Sequence, residues 1–272
     1  MKAFKNATFY SAKIGKLEAE TLKDYKIGEL YPSDLTRIGF DHVIDNELTV
    51  KVDDYKFVKV VLAKKVIPKS AINEAVKDAV NLKYKDRKPT KLEVKYEKEL
   101  VIPMLAEVAL VAREEVLVAH NEKSGLLIID TASQSKAGDI TALLRKAGLS
   151  ISGARINDGN DLVRVIDGKI DGVYFLHGGK FDRHGSAVTM SPYCEIEAQS
   201  LLEAGFRPVK VNAETEKLSF TLSKDCVFSS IKCGFKAFEE AEGDLLTTLF
   251  LQVTEIEAVF NAIEAAASKE KQ

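Results

Sequence analysis

The densest set of chemically capable side chains in this sequence is His177-Gly-Gly-Lys-Phe-Asp-Arg-His184. Two histidines seven residues apart, with Asp182 between them, would chelate a metal if the segment folded back on itself. A metal-dependent hydrolase using His177, Asp182 and His184 is therefore one reading. The competing reading is a glycine-rich turn with exposed histidines. It is favoured because a catalytic zinc normally takes three protein ligands, each held by further hydrogen bonds. Gly178-Gly179-Lys180 lacks phosphate-loop spacing, and no Ser or Thr follows the lysine. No nucleophile elbow, HExxH pair or dinucleotide fingerprint occurs. Asp53-Asp54 and Asp158/Asp161 are close carboxylates outside helices, where such acids ordinarily accept backbone hydrogen bonds in turns. Cys194, Cys226 and Cys233 are odd in number and lack ligand spacing, so Cys226 and Cys233 read as small buried hydrophobes. With four histidines and three cysteines, the chain is poor in acid–base and covalent groups. The expectation is a protein that is not an enzyme and uses no cofactor.

Attraction is better represented than catalysis. Residues 56–98 hold thirteen Lys/Arg against five Asp/Glu, a local excess of +8. The rest of the chain carries 26 basic and 36 acidic residues, so the whole has a net charge of −2. A basic block in an acidic body is the usual footprint of a polyanion partner, although a solvated lysine-rich helix looks the same. Lys64, Lys65 and Lys69 fall at a strand end, and Lys83, Lys85, Arg87 and Lys88 cluster at a loop with Tyr84. Loop-borne cations of this kind reach phosphate oxygens, and counterion release makes such binding salt-sensitive and blind to sequence.

The elements that position these residues are legible from periodicity and punctuation. Residues 4–12 and 48–67 are β-branched and aromatic-rich and read as strands, with a short helix near 17–25 between them. After Pro68, Ser70 can cap a helix whose Ile72, Ala75, Val76 and Ala79 share one face. Asp86–Pro89 is a turn, and Thr90 with Glu93 forms a capping box opening a second helix. Pro103 should kink or restart that helix, and Met104, Leu105, Val108 and Val111 continue its apolar stripe. The pair reads as an antiparallel helical hairpin inserted between strands.

Strands return at Val116–Ala119 and Leu126–Asp130, joined by the turn-rich Asn121–Gly125. Ser133 caps a helix with Ala137, Ile140, Leu143 and Leu144 inward, stopped by Gly148. Further strands are expected at 150–156 and around Asp167–Gly168, a helix from Cys194 to Ala204 ended by Gly205, and strands at 208–212, 217–223 and 226–233. Leu245–Gln252 reads as another strand, after which Thr254 and Glu257 cap a final helix through Ala267. Strands, helix, then strands again, without a βαβ rhythm, predict an α+β fold of antiparallel sheets with packed helices. The expected units are a central α+β domain (1–69 with 113–165), the helical insertion (70–112) and a C-terminal α+β domain (166–272). The N-terminal residues show no signal-peptide or membrane-span pattern, and the expected compartment is the reducing cytoplasm, with no membrane partner.

Several separated motifs resemble the RdgC family of recombination-associated proteins. They are Phe4-Lys5-Asn6 with Tyr10, Lys65-Val66-Ile67-Pro68, the stretch Gly125-Leu-Leu-Ile-Ile-Asp130 with Ala132-Ser133, Lys136-Ala137, Asp139 and Ala142-Leu-Leu-Arg-Lys146, and Glu203-Ala204-Gly205. They keep their order from residue 4 to 267. The resemblance implies an elongated, horseshoe-like subunit with the helical hairpin at its tip, pairing into a homodimeric ring around double-stranded DNA. It also implies single-stranded DNA and RecA as further partners, limitation of RecA-driven strand exchange, and association with the nucleoid. The positions matched to its basic residues are Lys65, Lys136, Arg145 and Lys146, the last two of which also complement a helix dipole. Between Pro103 and Leu110 the chain has no aromatic residue, and around Val188–Ser191 no basic one, so the family's gate phenylalanine and lysine–lysine–glutamine run have no counterpart. The rival reading is a protein-interaction module acting on recombinase filaments with little DNA affinity of its own.

Overall fold

The longest continuous pairing joins β4 (Tyr55–Val66) to β5 (Leu110–Asn121), antiparallel from Tyr55↔Asn121 to Val66↔Leu110. Alternation along β4 sends Val58 and Val60 to one face and Tyr55 and Phe57 to the other, so both faces of this ladder are committed to cores. A computed structural model describes residues 3–269 except 33, 86, 154–159, 192–196, 235 and 242.

The sheet runs β2 (Thr36–Asp41), β4, β5, β6 (Leu126–Ile129), β1 (Asn6–Ile14), β12 (Phe228–Cys233), β11 (Leu218–Ser223), β10 (Arg207–Glu214), β8 (Tyr174–Arg183), β9 (Ser186–Met190). Strand β3 (Thr49–Val52) pairs with β4 and β7 (Ser150–Gly153) with β1. The named strands pair antiparallel throughout, which with the packed helices gives the α+β class.

Strand β1 joins the two halves, with Thr8↔Ile129 on one edge and Asn6↔Ser229 on the other. On one face lies α8 (Leu245–Lys269), packing Leu249, Val253, Ile256, Phe260 and Ile263 against Phe9, Phe57, Ile128, Phe220 and Phe228. This cluster draws on both 1–165 and 166–272, so the two stretches share a core. On the other face α4 (Gln134–Lys146) lays Ile140, Leu143 and Leu144 over Val58, Val60, Val116 and Leu127. Strand β6 sits between these layers, which is why Leu126-Leu127-Ile128-Ile129 is apolar without alternation and buried throughout. A third cluster places α6 (Ala198–Glu203) on Phe181 and Met190.

Polar contacts fasten α8 to the sheet. The Gln252 amide accepts from the Phe4 N–H and donates to the Phe4 carbonyl, both at 2.6 Å. Buried Glu257 accepts from the Tyr55 hydroxyl and from the Asn121 amide at 2.9 Å. Burial and this carboxylate push the tyrosine's pKa far above its ordinary range.

Helices α2 (Lys69–Lys83) and α3 (Lys91–Glu107) fill the connection between β4 and β5 and pack on each other. The Thr90/Glu93 capping box forms as expected. Pro68, with no side-chain cap, occupies the position expected of Ser70. Pro103 lies inside α3 without ending it. The carbonyl that loses its helical partner there, that of Glu99, belongs to an exposed residue.

Elsewhere α1 (Ala19–Lys23) is the short helix near 17–25, while α5 (Asp161–Ile166) replaces a strand expected before Asp167. There Asp161 and Arg164 form a buried pair at 2.9 Å, which assigns that carboxylate to structure. A short α7 (Lys236–Glu240) precedes α8. Asp158 and Cys194 lie outside the described residues.

The clearest departure is residues 245–252, expected as a strand and found as the first two turns of α8. The segment is an apolar run holding Thr247, Thr248 and Phe250, residue types common in strands. The decisive features are apolar residues at 249, 253, 256, 260 and 263, and the Asp244 carboxylate, which accepts from the Leu246 and Thr247 N–H groups at 3.1 and 3.4 Å. By composition α8 is long and apolar enough to cross a bilayer, yet its apolar face is laid against the sheet. Asp244→Ala should cost about 1 kcal/mol of stability in a urea titration, the usual value of a helix N-cap. No loss would show that the α8 terminus is satisfied otherwise.

Candidate nucleic-acid interface

Part of the +8 of residues 56–98 is offset by tertiary pairing, at Lys56 and Lys59. Lys56 lies 3.2 Å from Glu122 and 3.9 Å from Glu18. Lys59 lies 3.6 Å from Asp41 and 3.8 Å from Glu115. All four acids come from outside the block, on strands and turns that sheet formation brings alongside β4. Lys65, expected to face a polyanion, is turned inward at 7% exposure and donates to the Pro32 carbonyl at 2.5 Å. Alternation explains this correction, since Lys64 and Lys65 must point to opposite faces of β4.

Within the helical hairpin two predicted cations hold the helices together. Lys83 donates to Glu97, itself 5% exposed, at 2.6 Å and lies over the Tyr84 and Tyr96 rings. Arg87 grips both oxygens of Glu93 and stacks its guanidinium 5.0 Å from the Tyr84 ring centre. The Arg87 bond, helped by the Thr90 N–H, holds the Glu93 pKa down to about 2. A depressed carboxylate contributes above the ordinary range near 4.5 and loses its contribution as pH falls through its folded value. Acidification from about 4.5 to 2 should therefore raise amide exchange at residues 90–94 before the sheet opens. Unchanged protection at pH 2 would show that the cap does not depend on the charge.

Of the remaining predicted cations, Lys64, Lys69, Lys85, Lys88 and Lys146 are exposed, whereas Lys136 and Arg145 have partners. Lys85 and Lys88, with Lys91 at the first turn of α3, are exposed and have no ion-pair partner among the described residues. Lys91 escaped the sequence reading because it follows the cap residue and reads as helix. Lys64 and Lys69 are also exposed, at the end of β4 and the start of α2. Lys64 opens onto a groove of about 640 Å³ between β2, β4, β5 and α4, shared with Lys136 and Lys146. Leu62 and Leu143 lie along its floor, and Glu114 and Asp139 bring opposite charge. Glu114 takes Lys136 on both oxygens, at 2.6 and 2.7 Å, while Lys64 and Lys146, the groove's other ammonium groups, have no ion-pair partner among the described residues. Arg145 points elsewhere and donates to the Ile151 carbonyl at 3.0 Å, fastening α4 to β7.

The metal reading does not assemble. His177 and Asp182 lie along extended β8, five residues and so about 16 Å apart, far beyond a shared ion. His184 forms the β8–β9 turn with Gly185. Gly178, at φ +147°, sits in an irregular stretch of β8 where a Cβ would meet the Asn212 amide at 2.6 Å. Among the described residues no three His, Cys, Asp or Glu side chains gather where they would hold a metal.

A family model described as "RdgC: Putative exonuclease, RdgC" matches residues 3–161, more than half of the chain. The chain belongs to the RdgC family. The match takes in β1 through the first residue of α5, and hence the hairpin, the groove and α4. Relatives named "Recombination-associated protein RdgC" include one from Shewanella sediminis (strain HAW-EB3), 26% identical over 155 residues. Two from Shewanella baltica (strains OS185 and OS223) are each 27% identical over 154 residues. Each alignment covers 53% of this chain and 51% of the relative. The chain thus spans about half the length of the RdgC relatives it matches. An exonuclease of the two-metal type needs converging carboxylates, and the described residues of this RdgC chain do not supply such a group.

Proposed function

We propose that this chain binds double-stranded DNA without sequence preference, as one half of a homodimer that closes around the duplex, and limits RecA-driven strand exchange. The observation that carries the reading is the exposed trio of Lys85 and Lys88 in the loop and Lys91 at the start of α3, which have no ion-pair partner among the described residues, whereas Lys83 and Arg87 do. Cations on a loop with no rigid hydrogen-bonding partner touch phosphates and read no bases. Family membership supports the recombination role, and the place of action in this reading is the nucleoid, in the cytoplasm.

Pairing of two copies is supported by α3. Leu92, Tyr96, Leu100 and Met104, at successive i+4 positions, are between 46% and 78% exposed and form an apolar stripe. The same stripe favours a second reading, in which the hairpin docks on a recombinase and DNA is secondary.

Fluorescence anisotropy on two unrelated duplexes tests the first reading. Equal affinities that fall steeply with salt are expected. A salt slope near zero or strong sequence preference would overturn it, and DNA-free capture of RecA would favour the second reading. Labelled DNA incubated with magnesium should stay full-length, and progressive shortening would revive nuclease chemistry.

A further inference from the structure

Among the described residues, helices cover one face of the C-terminal half of the sheet. Phe181, Val211, Leu222 and Phe228 point into cores, whereas the opposite row across β9, β8, β10 and β11 is Thr189, Lys180, Lys210 and Ser223. None of these four is buried. Lys180 and Lys210 are direct cross-strand partners, a placement that puts their Cβ atoms roughly 5 Å apart on one face. Like charges so placed repel, and neither lysine has an ion-pair partner among the described residues. Arg207 continues the cationic run along β10 opposite Asp182, whose carboxylate accepts from the Gly185 N–H at 3.2 Å. The neighbouring row offers Asn212, Thr221, Ser229 and Asn6, hydrogen-bonding groups without negative charge.

We propose that this open face, centred on the Lys180–Lys210 pair, is a second docking surface for the phosphodiester backbone of nucleic acid. The inference rests on the nucleic-acid reading above and adds a site outside the basic block. An anion bridging the two ammonium groups turns their repulsion into shared attraction, with Thr189 and Ser223 as flanking hydroxyl donors. A second copy of this chain is a poor occupant, because a two-fold contact would set the same cations against each other. The sheet order places this face near the β9 edge, while the loop cations hang from the β4–β5 ladder near the β2 edge. Seven strand spacings of about 4.8 Å separate β4 from β8, roughly 34 Å along the sheet. A polyanion meeting both sites must be longer than a mononucleotide.

The test compares the wild-type chain, Lys180→Gln/Lys210→Gln, and Lys85→Ala/Lys88→Ala/Lys91→Ala on one labelled duplex across a salt series. The glutamine variant should bind roughly tenfold more weakly at low salt, with a log–log salt slope smaller by about 2. Its unfolding midpoint should hold or rise, since a repulsive pair is gone. Wild-type affinity and slope in the glutamine variant, with the loop variant weakened, would sink this site and leave the DNA reading intact. A wild-type chain that ignores the duplex would remove both. Intact DNA affinity with an altered sedimentation mass would assign the face to chain–chain contact and overturn the proposal.

Discussion

Replacing Phe228 by alanine should remove about 3–5 kcal/mol of stability, the range for emptying a fully buried aromatic site. Phe228 is wholly buried, edge-on to Phe9 at 4.8 Å and stacked on Phe220 at 4.6 Å, while Phe9 stacks on Phe260 at 4.4 Å. These rings come from β1, β11, β12 and α8, so the void cannot collapse without moving four elements at once. Against a typical total of about 5–15 kcal/mol, the loss approaches half of the fold's stability. Because the cluster draws on both ends of the chain, both halves should weaken together. Urea unfolding followed by far-ultraviolet dichroism and by tyrosine signals should shift to one common lower midpoint. Two separated transitions would show that the halves fold on independent cores.

The second large effect concerns DNA. Lys85→Ala/Lys88→Ala/Lys91→Ala should weaken duplex binding on the order of 10- to 100-fold at low salt, equally on every sequence, and flatten the salt slope by about 2–3. The helical hairpin should remain folded, because none of the three takes part in the Lys83–Glu97 or Arg87–Glu93 pairs. Removing Lys83 or Arg87 is a different experiment, since each deletion frees a carboxylate and loosens the packing of α2 on α3. Undiminished binding by the triple variant, with a folded hairpin, would move the principal contact to Lys64 and Lys146 in the groove or to the β8–β10 face.

Features set by neighbours in sequence were legible. The Thr90/Glu93 box, the Ser133 cap, the β5–β6 turn and the continuous apolar run of β6 each depend on a few adjacent residues, and each appears in the structure. Features set by distant partners were not. The local excess of charge looked like a patch because Glu18, Asp41, Glu115 and Glu122 reach β4 only after sheet and turns have formed. Lys65 and Lys64 were indistinguishable until the pleat assigned them opposite faces. The first turns of α8 were misread because β-branched content outweighed a periodicity that becomes visible only when extended past residue 252. The Lys180–Lys210 row had no sequence signature, since the two residues meet through strand register alone.

The clasp of Gln252 on the backbone of Phe4 spans 248 positions, and that span governs how the molecule is born. At a ribosomal pace of roughly 5–20 residues per second, the opening strand waits about 12–50 s for the helix that seals it. During that interval a nascent chain presents an unsealed aromatic edge, so the opening strand stays open to wrong partners until α8 has been made.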